Sequence, residues 1–185
     1  RQRQMCIRDS GKTSLAEALL YKTGAIDKKG RVEEGSTVSD YEAQEKKRGI
    51  SIQTSIIPVE YEDYKINFID SPGFFDFEGE VLQALRASEA ALFVIDGENG
   101  IEVGTEKYWN YTQEINLPSI IFVNKLDKEN AHFNKVVSDL HIEFGKKVIP
   151  LTLMLGQGDE FEGVIDVLDK KAVSYTHLTL PTSDL

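Results

Sequence analysis

Cysteine is almost absent: Cys6 is the only one in 185 residues, which excludes an internal disulfide framework. Long apolar runs are absent too, and none approaches the ~20 residues needed to span a bilayer. Nothing in the sequence resembles a secretory leader, so the expectation is a soluble, cytoplasmic chain. There is no excess of positive charge. The 21 Lys and Arg against 31 Asp and Glu leave a net charge of −10, which excludes a non-specific grip on a phosphate backbone. Any phosphate must instead be held locally, by backbone amides and a few placed cations. What is present is an ordinary balance of 41% hydrophobic and 28% charged residues, enough for one globular domain with a sizeable core.

The two ends carry an oddity that the genetic code exposes. The stretch "SYTHLTLP" from Ser174 can be written TCT-TAT-ACA-CAT-CTG-ACG-CTG-CCG. Its reverse complement translates as "RQRQMCIR", the chain's own beginning, and the match continues inward through Val173 and Asp9. Both ends also look like translations of a transposase adapter used to prepare sequencing libraries. Residues 1–9 and 173–185 are therefore expected to be adapter-derived, with the biological sequence running from 10 to 172 and cut at both ends.

Between those limits, helical and strand patterns alternate. "KTSLAEALLYKTG" predicts a helix stopping at Gly24,. Residues 27–49 are polar and aperiodic, an unusually long loop unless it is functional or disordered. "ISIQTSIIPVEY" and "YKINFID" read as strands joined near Glu62 and Asp63,. A helix is expected over 77–89, with Val81, Leu82 and Leu85 facing inward. "AALFVID" and "SIIFVNK" are continuous apolar runs of the kind buried on both faces of a parallel sheet,, and helical segments follow near 104–116 and 131–144. "KVIPLTL" is a further strand candidate, and "FEGVIDVLDKKA" could open a strand pair. Strands separated by helices predict an α/β fold with a mostly parallel sheet and right-handed crossovers.

Sites in such sheets lie at the carboxyl ends of the strands, and four motifs fall there. Gly11-Lys12-Thr13-Ser14 closes the phosphate-loop pattern G-x-x-x-x-G-K-[ST], although Cys6 stands where the first glycine belongs. Amides opening the helix at Ser10, Gly11 and Ser14 can hold phosphate oxygens, and Lys12 can neutralise them. The Thr13 hydroxyl would be a Mg²⁺ ligand. Asp70-Ser71-Pro72-Gly73 ends a strand; Asp70 can hold the metal through water and the Gly73 amide can meet a γ-phosphate, though the segment reads equally as a Pro-Gly turn. In Asn124-Lys125-Leu126-Asp127, Asp127 can accept from N1 and the exocyclic amine of guanine. Adenine cannot supply that pair of donors. Asn124 can reach the other base edge while the Lys125 stem packs on the purine face. Finally, Arg48-Gly49-Ile50-Ser51 could place the Ser51 hydroxyl on the metal when a γ-phosphate is present, or could simply begin a strand. The remaining conspicuous residues read as structural. His132 and His141 have no ligand cluster around them, Tyr108 and Trp109 are expected to pack against the sheet, and "EYED" and "EFEG" are expected to be solvated.

Assembled, residues 10–172 resemble the G domain of translational GTPases, specifically elongation factor G and the elongation-factor-G-like proteins. The stretches that carry the resemblance are "SGKTSLAEALLYKTGAI", "RVEEGSTVSDYEAQEKKRGISIQTS", "INFIDSPGFFDFEGEV" and "IIFVNKLDKENAHF". It implies a P-loop NTPase-type fold with helices on both faces of the sheet, incomplete here. Residues 10–155 would be a partial G domain and 156–172 the start of a subdomain inserted into it. It further implies GTP or GDP and Mg²⁺ as ligands, GTP hydrolysis, and the ribosome as partner of the full-length protein. No membrane association and no direct sequence-specific nucleic-acid binding are expected, and the chain is expected to be monomeric.

The departures from the family pattern lie at Ser51, usually threonine, and at Phe74. In the family's D-T-P-G-H motif the last residue orients the attacking water; "DSPGFF" puts Phe74 there, which has neither donor nor acceptor. The catalytic set is thus Lys12, Asp70, Gly73 and a substituted Phe74, and hydrolysis is expected to be slow. The alternatives are a GTP-dependent switch with negligible hydrolysis or an inactive piece. The family's last guanine contact, a Ser-Ala pair, would come after the chain's end. A central strand written as "RQRQMCIRD" would forgo several apolar side chains at ~1.5–3 kcal/mol each. That is large against a total of ~5–15 kcal/mol, so weak or no GTP binding is expected of residues 1–185 as written.

Overall fold

The computed structural model describes residues 10–31, 36–38, 54–73, 75–156 and 162–174. Gly11 sits in the left-handed region at φ 93°, where an added Cβ is penalised, and helix α1 (Lys12–Lys22) begins directly after it. The helix stops where its sequence says it should. The Thr23 amide donates to the Leu19 carbonyl, and Gly24 follows at φ 74°, the conformation that ends many helices.

Strands β1 (Ser55–Tyr61) and β2 (Tyr64–Asp70) form an antiparallel hairpin, with Tyr61 opposite Tyr64 and Ser55 opposite Asp70. The expected β1 began at Ile50. Residues 50–53 lie outside the described set, and the strand starts at Ser55. Alternation along β1 buries Ser55, Ile57 and Val59 and turns Ile56 outward, the period-two signature of a one-sided hairpin. Ala16 and Leu20 of α1 close on Ile57 and Val59, with Ile26 and Phe68 against them. Full burial of a Leu, Ile or Val side chain is worth roughly 1.5–3 kcal/mol, so this cluster ties the helix that starts at Lys12 to the hairpin that ends at Asp70.

After Asp70, Pro72 has no amide to continue a ladder, and the chain turns through a 3₁₀ segment (Phe75–Phe77) into α2 (Glu78–Ala87). Next comes a β-α-β unit: β3 (Ala91–Asp96), α3 (Val103–Glu114) and β4 (Ser119–Asn124). The two strands run parallel. The Ala91 amide donates to the Pro118 carbonyl at one end and the Gly97 amide to the Asn124 carbonyl at the other, both at 2.8 Å. The Trp109 ring of α3 lies tilted against Phe93 of β3, centroids 5.8 Å apart, and both Tyr108 and Trp109 are buried, as their sequence context led one to expect.

The remainder comprises α4 (Phe133–Phe144) and an antiparallel sheet of β5 (Thr152–Leu155), β6 (Gly163–Asp166) and β7 (Lys171–Ser174). The strand expected over "KVIPLTL" starts only at Thr152, because Lys147 still belongs to a 3₁₀ turn and Pro150 cannot donate to a ladder. The β6–β7 hairpin is the strand pair anticipated after Phe161, and β7 takes in Val173 and Ser174.

The α/β class is as expected. Among the described residues the parallel pairing is that of β3 with β4, while the other two sheets are antiparallel. The chain divides into two compact units, one of residues 1–94 and 102–122, the other of residues 95–101 and 123–185.

Candidate functional site

In the first unit, two of the three oxygen donors expected around a metal are already together. The Thr13 hydroxyl, on the first turn of α1, donates to Oδ2 of Asp70 at 2.9 Å. Asp70 is buried, the last residue of β2. Fifty-seven positions of sequence separate them, and the α1–hairpin core brings them into contact. Ser10 is buried beside Gly11, whereas Ser14 faces outward. Lys12, Ser71, Pro72 and Gly73 border one cavity of about 120 Å³. Its far wall includes Val81 of α2 and Tyr108 of α3. Burial, with the negative charge of Glu78, pushes the Tyr108 phenol above its ordinary range. Ser51 and Phe74 lie outside the described residues.

Sequence reasoning missed Glu17. It is 1% exposed, and its carboxylate accepts from the Gly30 amide at 2.9 Å and the Val38 amide at 2.6 Å. A buried carboxylate requires such donors. Here they come from two points in the segment following α1, so α1 and the start of the long polar loop are pinned by one side chain. The signal was available: a lone acid on the same helical face as Ala16 and Leu20.

In the second unit, Asn124 closes β4, and Lys125 follows in the left-handed region at φ 58°. Asp127 is exposed two residues on. The Lys125 ammonium meets Oδ2 of Asp96, the last residue of β3, at 2.8 Å. The other oxygen, Oδ1, accepts from the amides of Glu98 and Asn99. Burial pushes the Asp96 carboxyl up. Lys125 and the two amides outweigh it, and the net result lies below the ordinary carboxylate range. Asp96, too, was not anticipated, although it ends a buried apolar strand beside the strand that carries Asn124.

Nε2 of His141 lies 2.9 Å from the Val148 carbonyl.

With both groups of residues in place, the comparison with known proteins is decisive. A family model, the elongation factor Tu GTP-binding domain, matches residues 5–177. The chain belongs to that family. It is 41% identical over 165 residues to elongation factor G of Gluconobacter oxydans and 39% identical to that of Granulibacter bethesdensis, in each case over 89% of this chain and 24% of the relative. A crystal structure from Thermus thermophilus superposes with a TM-score of 0.85 at 39% identity, covering 91% of this chain and 25% of that one. The chain thus spans about a quarter of the length of the curated relatives it matches.

Proposed function

We propose that this chain is the GTP-binding and GTP-hydrolysing part of an elongation-factor-G-like translational GTPase that works with the ribosome in the cytoplasm. The observation that carries the reading is the 2.9 Å contact between Thr13 and Asp70. It pairs a hydroxyl at the start of a helix following Gly11-Lys12 with a strand-end carboxylate. This donor set fits Mg²⁺, a hard cation that binds through oxygen and keeps much of its water. When bound, Mg²⁺ neutralises charge on the phosphate oxygens.

In this reading the amides at Ser10, Gly11 and Ser14 hold phosphate oxygens at the helix start, and Lys12 adds a positive charge. Thr13 and Asp70 would hold the metal. Ser51 and the Gly73 amide sense the γ-phosphate. Asn124 and Asp127 read the two edges of guanine, and Lys125 packs along its face. Phe74 cannot hold a water, so hydrolysis is slow. Residues 1–9 and 173–185 remain, on the codon argument, adapter-derived.

Single-turnover phosphate release by the full-length protein on ribosomes tests the reading. Release should be slow but measurable, and Phe74→His should accelerate it. Release indistinguishable from spontaneous hydrolysis would favour a binding switch, the reading that Phe74 also supports. A Phe74→His protein no faster than the parent would overturn the role given to that position.

A further inference from the structure

Lys125 adopts a left-handed backbone conformation, φ 58°, that a side-chain-bearing residue enters only at a cost, and its side chain is not one that compensates by bonding the local backbone. Such strain persists where surroundings over-determine the geometry, and it clusters at binding sites. Three contacts impose it here. The Lys125 ammonium is bound to Asp96 at 2.8 Å. The carbonyl before it, on Asn124, accepts from the Gly97 amide at 2.8 Å. The carbonyl of Lys125 itself accepts from Lys128 at 3.3 Å.

Asp96 stands behind the first two of these. Its side chain, 4% exposed, binds the ammonium with one oxygen. With the other it fixes the amides of Glu98 and Asn99, which folds the turn that carries Gly97. Gly97 approaches so closely that a Cβ there would lie 2.9 Å from the Asn124 carbonyl oxygen and 2.7 Å from Leu126 Cδ2. One carboxylate therefore sets both the side chain and the backbone of the segment from Asn124 to Asp127.

Resting on the guanine-reading assignment above, we infer that Asp96 is a positioning residue for base recognition. Its carboxylate holds Lys125 in the strained geometry that presents Asn124 and Asp127 to the purine. Loss of that hold should blur discrimination at the base while leaving the phosphate-side residues untouched.

The test compares GDP, IDP and ADP in competition binding to the full-length protein and its Asp96→Asn, Lys125→Met and double variants. IDP lacks the exocyclic amine that Asp127 would accept. Asparagine keeps the acceptor that the turn amides need, and thermal midpoints check that each variant folds. Either single variant breaks the same ion pair, so one that folds suffices for the base readout. The expected result is a GDP-over-IDP preference in the parent that falls about tenfold in D96N, with the double variant no worse than K125M alone. A D96N chain that keeps the full preference would overturn the inference and leave the nucleotide site standing. So would a double variant whose losses simply multiply. A parent that binds GDP no better than ADP would overturn the base-reading assignment itself.

Discussion

The hydroxyl of Thr13 and the carboxylate of Asp70 are 2.9 Å apart, although one opens a helix and the other ends a strand far along the chain. Nothing local brings them together. The contact depends on Ala16 and Leu20 packing on Ile57 and Val59, so apolar burial places two polar groups where a cation can use both. Thr13→Val should therefore cost little stability but lower Mg²⁺-dependent nucleotide affinity about 10- to 100-fold, the range typical of disturbed metal ligation. Calorimetry with and without Mg²⁺ reads this directly. Equal loss in both conditions would mean that Thr13 serves the phosphates and not the metal.

Glu17→Gln should destabilise the chain by about 1–3 kcal/mol, because one of two buried amide donors loses a charged acceptor. Urea unfolding measures the loss. Hydrogen exchange at Gly30 and Val38, whose amides Glu17 holds, should rise more than at the β1–β2 ladder. A uniform rise would reduce Glu17 to a packing residue.

Asp96 makes the acid side of stability predictable. Its carboxyl is held below the ordinary value of 3.8, so the folded state binds its proton less readily than the unfolded state. The stabilisation is therefore present above about pH 4 and disappears as the pH falls through the lowered value. Asp96→Asn should lower the thermal midpoint at pH 7, and the gap from the parent should close as the pH falls through that lowered value. A constant gap would show that the charge of Asp96 is not what stabilises the folded chain.

Gly97→Ala should be destabilising by about 1–3 kcal/mol, since the new methyl meets a backbone carbonyl as well as a movable leucine tip,. The Asn124 amide and carbonyl signals should shift with it in NMR spectra. An unperturbed Asn124 would mean that the turn relaxes away from β4.

The element order was legible because its signals are local. "AALFVID" and "SIIFVN" are apolar throughout and became β3 and β4, and Gly24 and Pro72 end what glycine and proline usually end. The family was legible because Gly-Lys-Thr and Asn-Lys-x-Asp occur together in one chain, in that order. Glu17 and Asp96 were not, because an isolated acid in a helix or at a strand end looks the same whether it meets solvent or two buried amides. The amides that Glu17 holds and the lysine that Asp96 meets lie 13 to 29 positions away, a distance over which no periodicity connects them. The late start of β5 was missed for a different reason: "KVIPLTL" has strand-like apolar content, but Pro150 removes the donor that pairing would need.

The account stands or falls on what Asp127 recognises. Competition between GDP and ADP for the full-length protein, repeated with Asp127→Asn, measures it. The account predicts that GDP wins by a large factor in the parent, that most of this preference is lost in the variant, and that XDP, whose C2 oxygen can accept from the asparagine amide, gains. ADP competing as well as GDP in the parent, with no change on substitution, would contradict it.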